Sequence, residues 1–101
     1  MIPSLAQLLV ELGSAVPGAT SATAEGTTTW SRGGRAFCVA GPIGVELRLD
    51  KPIAAAATRT PDAGPSPRGP EWVRFNPREL DGHAVDRVTA WFDLAYRRAA
   101  P

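Results

Sequence analysis

The chain has one cysteine, one histidine and one lysine among 101 residues. A lone cysteine, Cys38, excludes an internal disulfide and cannot close a thiolate zinc site. A lone histidine, His83, rules out any Ser-His-Asp triad that does not use it. No apolar run approaches the ~20 residues of a membrane span. The N-terminus shows no basic region followed by an apolar stretch and a cleavage site, so no signal peptide is expected and a cytoplasmic location is the default. The formal charge of +1 is too balanced for a protein that grips polyanions electrostatically, and nucleic acid is not expected as a partner. Neither a cofactor motif nor a metal-ligand spacing is visible, so no cofactor is expected. Lys51 stands against many arginines, with abundant Ala, Gly and Pro; that bias is expected of a GC-rich bacterial genome.

What is present describes one globular domain over residues 1–101. The hydrophobic fraction is 44% and the charged fraction 21%, as in ordinary soluble domains. The last third holds most of the bulk: Trp72, Phe75, Trp91, Phe92 and Tyr96. From His83 to Ala99, the residues Ala84, Val85, Val88, Trp91, Phe92, Ala95, Tyr96 and Ala99 recur at helical spacing. Asp81 suits the N-cap, Arg97 and Arg98 suit the C-terminal end of the dipole, and Asp93–Arg97 is a favourable i,i+4 pair.

Earlier in the chain, Pro3 or Ser4 opens a short helix with an apolar stripe of Leu5, Leu8, Leu9 and Leu12, and Gly13 is expected to end it. Residues 19–26 read as a weak strand or edge segment. Thr27–Arg32 and Arg35–Ala40 read as strands joined by a Gly33-Gly34 hairpin turn. Val45–Leu49 is the cleanest alternating strand. With a two-residue loop at Gly33-Gly34, Trp30 faces Phe37. A three-residue loop, Gly41 to Ile43, then puts Phe37 opposite Leu47 and Val39 opposite Val45. This register collects Trp30, Phe37, Val39, Val45, Leu47 and Leu49 on one face, and Thr27, Thr29, Ala36, Cys38, Glu46 and Arg48 on the other. Asp50 is expected to cap a helix from Lys51 to Thr58. Residues 59–70 read as a proline-rich loop without secondary structure. Glu71–Phe75 is a strand with Val73 and Phe75 on one face and Trp72 and Arg74 on the other. Asn76 and Glu79 stand in capping-box positions. No internal repeat is visible. The sum is a two-layer α+β domain: a mainly antiparallel sheet, a meander plus one further strand, with helices on one face.

The hairpin Trp30–Phe37, the strand Val45–Leu49, the run from Pro65 to Phe75 containing Gly-Pro-Glu-Trp-Val-Arg-Phe, and Asp86–Phe92 together resemble a luciferase-like domain family of short bacterial proteins. The resemblance covers about three quarters of the chain, from Gly26 onward, and implies no catalytic residues. It cannot imply the flavin-dependent luciferase barrel, which needs ~250 residues. The architecture is also similar to the MmcQ/YjbR-like fold, a small α+β domain sometimes described as DNA-binding.

The side chains that invite a function lie on the face away from the helices: Cys38, Glu46, Arg48, Trp72 and Arg74, edged by Arg68 from the proline-rich loop. An indole beside arginines on such a face needs cover, and Trp and Arg are enriched at the centres of interfaces. A protein interface, most simply a symmetric homodimer, is the first expectation. A site for a small anionic or aromatic molecule is the alternative, with arginines for charge and Trp72 for stacking. For an enzyme, Glu46 and Asp50 are the only nearby acid–base groups. An ordinary solvated strand face also accounts for the alternation of Glu46 and Arg48, and an ordinary surface position accounts for His83.

Overall fold

A computed structural model describes residues 4–100. Helix α1 runs Leu5–Ser14. Ser4 caps it: its Oγ accepts from the Gln7 amide at 3.2 Å, while the Ser4 amide donates to Gln7 Oε1 at 3.0 Å. The alternative start at Pro3 lies outside the described residues. Gly13 does not end the helix, which continues to Ser14. A Cβ at Gly13 would overlap the indole of Trp30, so this glycine lets α1 pack directly on a sheet aromatic.

Six strands follow, interrupted by one helix: β1 (Ala19–Ala24), β2 (Thr27–Arg32), β3 (Arg35–Gly41), β4 (Gly44–Arg48), α2 (Lys51–Ala57), β5 (Ala63–Ser66) and β6 (Gly69–Phe75). The long helix α3 (Gly82–Arg98) closes the fold. The strands form one antiparallel sheet in the order β1-β2-β3-β4-β6-β5. The expected α+β architecture is observed, with two strands more than the meander plus one. The region read as a proline-rich loop contains β5, which forms a hairpin with β6.

The turn at Gly33-Gly34 has two residues, as its positive φ angles of 58° and 80° require. The register beyond it differs from expectation. Ser31 pairs with Ala36, but Trp30 pairs with Cys38, so Phe37 is the extra residue of a β-bulge. Cys38 thereby moves to the helix-covered face, where it is fully buried, and Val39 moves to the open face. The physical reason is that Phe37 and Cys38 are consecutive and both belong in the core, which a strictly alternating strand cannot arrange. The following loop is Pro42-Ile43, two residues and not three, with Gly41 opposite Gly44. The bulge and the shorter loop cancel, so Val45, Leu47 and Leu49 still point into the core.

Two adjacent rows cross the whole sheet. Ser21, Trp30, Cys38, Leu47, Val73 and Pro65 face the helices; Ala22, Thr29, Val39, Glu46, Arg74 and Gly64 face away. All three helices contribute to one buried apolar cluster with the first row: Leu9, Ala54, Ala57, Val88, Phe92 and Ala95 among them. Aromatic edges organise it. Phe92 meets Trp30 and Phe37 at centroid distances of 6.2 and 5.3 Å, and Trp91 meets Phe75 at 5.2 Å. The Tyr96 hydroxyl donates to the Pro17 carbonyl, and the Arg32 guanidinium lies 3.9 Å from the Tyr96 ring centre, tying α3 to the end of the β1–β2 hairpin at which Ala19 pairs with Arg32. Asp81 caps α3, accepting from the Ala84 amide at 2.9 Å, and Arg97 pairs with Asp93 at 3.1 Å. Residues 76–79 form no helix, so Asn76 and Glu79 are not a capping box. No helix among the described residues is long and apolar enough to cross a membrane.

Candidate functional site

The open face divides into two chemically different halves. On β1 and β2 it carries small and hydroxyl side chains: Thr20, Ala22, Thr29 and Ser31. On β4 and β6 it carries charge and an indole, because Glu46 stands opposite Arg74 and Arg48 opposite Trp72. Trp72 is therefore on the uncovered side, as its alternation with Val73 requires.

The β5–β6 turn supplies the remaining parts. Ser66 pairs with Gly69, and the turn residues Pro67-Arg68 fold the Arg68 side chain back across the sheet. Arg68 Nε donates to Glu46 Oε1 at 3.1 Å, and its Cζ lies 5.6 Å from the Trp72 ring centre. Ser66 Oγ donates to Glu46 Oε2 and accepts from the Arg68 amide. Both oxygens of Glu46 are thus occupied, and Ser66 is the buried polar residue of the described chain. Such a network locks Arg68 over Trp72 and supplies part of the cover that the indole needs. A single surface pair of this kind is worth ~0–1 kcal/mol; the serine and the half-buried glutamate raise the geometric order more than the stability.

Arg48 leaves the open patch. Its Nε bonds Glu71 Oε2 at 2.9 Å, and Arg98 Nη2 bonds the same oxygen at 2.8 Å. Arg98 also reaches Asp50 at 3.0 Å, so Asp50 uses its carboxylate to hold α3 and makes no side-chain cap on α2. The Arg48 hydrogen bond, with the Arg98 and Arg48 charges behind it, holds the Glu71 carboxyl below the ordinary carboxylate range. This clamp joins β4, β6 and the end of α3, and its role is structural. Cys38 leaves the patch as well: burial pushes its thiol up, away from the thiolate form a nucleophile needs.

Arg74 remains. Among the described residues it makes no ion pair and no side-chain hydrogen bond. It separates two open, shallow depressions of about 240 and 340 Å³ that share Ile43 as a wall. The first is floored by Val39, only 5% exposed although no helix lies over it, and bordered by Arg68 and Glu46. The second runs toward Gly64 and Asn76. Trp72 lines neither. Ile43 is 63% exposed, the most exposed large apolar side chain of the described chain.

Of the six candidates, the structure brings Glu46, Arg68, Trp72 and Arg74 together and removes Cys38 and Arg48. Sequence reasoning missed Ser66, Val39, Ile43 and Glu71. One signal was available: Ser66-Pro67-Arg68-Gly69 has Ser, Pro and Gly at the first, second and fourth positions of a β-turn, which announces the hairpin that carries Arg68 inward. No family model, curated protein or solved structure matches this chain.

Proposed function

We propose that this chain is a non-catalytic protein-interaction module, and that its contact surface is the open sheet face around Trp72, Arg74 and Ile43. The observation that carries the reading is Arg74. It is a half-buried cation without an internal partner, set beside an exposed isoleucine on a face that no helix covers. An unpaired guanidinium held on rigid strands is prepared for a carboxylate supplied from outside. The neighbouring charges do not compete for that role, since Glu46 is already engaged by Arg68 and Ser66. The partner surface is therefore acidic. A face-to-face pairing of two copies centred on Arg74 would set cation against cation, which argues against this face as the homodimer contact.

The test is a photo-cross-linking side chain in place of Ile43 in cells, with Val10, 56% exposed on α1, as the control position. A discrete adduct from position 43 that Arg74→Glu abolishes is the expected result. The same adducts from both positions, or no effect of Arg74→Glu, would overturn the reading.

A second reading is favoured by the two depressions: a small anionic or aromatic ligand bound against Arg74. It predicts saturable NMR shifts confined to Arg74, Ile43 and Asn76 on titration with inorganic phosphate or benzoate. Nucleic-acid binding has less support, because five arginines are in ion pairs and Arg32 and Arg87 donate to backbone carbonyls. Membership of the luciferase-like family fits this reading, since the resemblance implies no catalytic residues.

A further inference from the structure

The two edges of the sheet are built differently. Edge strand β5 has four residues, is irregular between Pro65 and Ser66, and contains Pro65, which has no amide to donate. It is followed at once by Pro67. These are the usual ways of blocking an edge against another strand. Edge strand β1 has none of them. Ala19–Ala24 reads Ala-Thr-Ser-Ala-Thr-Ala: six residues with no proline, glycine, charge or bulge, in unbroken register with β2. Ala19 packs against the core near α1, but Thr20 to Ala24 are exposed and the outer edge of the strand carries no partner among the described residues.

We infer that β1 is a self-association edge, at which a second copy of this chain adds its own β1 antiparallel and extends the sheet from six strands to twelve. A twofold axis that pairs two such edges runs normal to the sheet. It keeps the open faces on one side, and therefore permits only registers in which residues of the same face oppose each other. For β1 the registers of this kind that pair the most residues are those centred on Ser21 and on Ala22. The first sets Ala19 against Thr23 and Thr20 against Ala22. The second sets Ser21 against Thr23 and Thr20 against Ala24. Every opposed pair within the strand is small or hydroxyl-bearing, so none clashes, Ser–Ser or Ser–Thr pairs can hydrogen-bond across the seam, and no like charges meet. The nearest cation, Arg32, opposite Ala19, is already engaged by Tyr96. A charged peptide would gain main-chain hydrogen bonds at this edge but no charge complementarity, whereas the β1 of a second copy brings the same small, uncharged side chains. The inference rests on this edge and is independent of the open-face reading.

Equilibrium sedimentation of the whole chain tests it. The wild type is expected to show a concentration-dependent shift from 10.6 kDa toward twice that mass. Its outward-pointing β1 amides should exchange hydrogen more slowly as concentration rises. The double variant Ser21→Lys, Thr23→Lys places like charges opposite each other in either register and should weaken the dimer about tenfold or more. Mixing it with Ser21→Glu, Thr23→Glu should restore a dimer, which a folding defect would not do. Val10→Ser, on α1, should leave association unchanged. A wild type that stays monomeric at millimolar concentration overturns the inference. So does a lysine variant that dimerises like the wild type, or a dimer that is lost on Arg74→Glu and not on the lysine pair.

Discussion

Two rows of residues one position apart cross the same six strands and share nothing else. The row Trp30, Cys38, Leu47, Val73 is sealed under the three helices. The row Thr29, Val39, Glu46, Arg74 faces outward, with only side chains from its own face as cover. The difference shows where this small domain keeps its stability and where it has room for recognition. Burying apolar surface is the dominant favourable term in folding. The open row contributes little of it, so its side chains are free to be chosen for contact.

The sharpest way to break the contrast is chemical. Cys38 belongs to the sealed row, so native protein should react with a thiol reagent on the order of 10³-fold or more slower than unfolded protein, limited by opening. Fast native labelling would return Cys38 to the open face and undo the bulged register. Next in size is the core itself. Leu47→Ala should cost about 2–5 kcal/mol in urea denaturation, since the leucine is fully buried between strands and helices. Gly13→Ala should cost about 1–3 kcal/mol by forcing a methyl into the Trp30 indole. Trp30→Leu should recover part of that loss, which separates overlap from a change in helix propensity.

The clamp between the rows predicts a pH dependence. Glu71 has a folded pKa below its unfolded one, so its stabilising contribution is full above the ordinary carboxylate range and is lost as pH falls through the depressed folded value. Glu71→Gln should therefore be less stable than wild type at neutral pH, and the two should converge in acid. A constant difference across the range would remove the clamp. The smallest effect is expected at Arg74. Arg74→Ala should change stability by no more than about 0.5 kcal/mol, because the guanidinium has no internal partner. A large loss there would make Arg74 a structural residue and end the open-face reading.

Much of this was legible beforehand. Asp81, the helical stripe to Ala99 and the Asp93–Arg97 pair specified α3, because caps and periodicity act within a few residues of each other. The side of the sheet on which Trp72 lies followed from its alternation with Val73 and Phe75. The β3 register did not follow, because Phe37-Cys38-Val39 is buried at all three positions and gives no alternation to count. The candidate site was half legible. Trp72 and Arg74 were placed correctly. The partners of Glu46, Arg48 and Asp50 were not, since Ser66, Glu71 and Arg98 lie 20, 23 and 48 residues away along the chain.

By itself, the order of residues along the chain determined the three helices, strands β2, β3, β4 and β6, the apolar stripes of α1 and α3, the Gly33-Gly34 turn and the opposite jobs of Trp72 and Val73, but not the strand β5. Those properties depend on neighbours one to four positions apart. Only the tertiary structure decided that Phe37 is a bulge, that α1 needs Gly13 to reach Trp30, that Arg48 serves α3 and that Arg74 is left without a partner. Each of these depends on residues far apart along the chain, which meet only once the sheet and helices have been brought together.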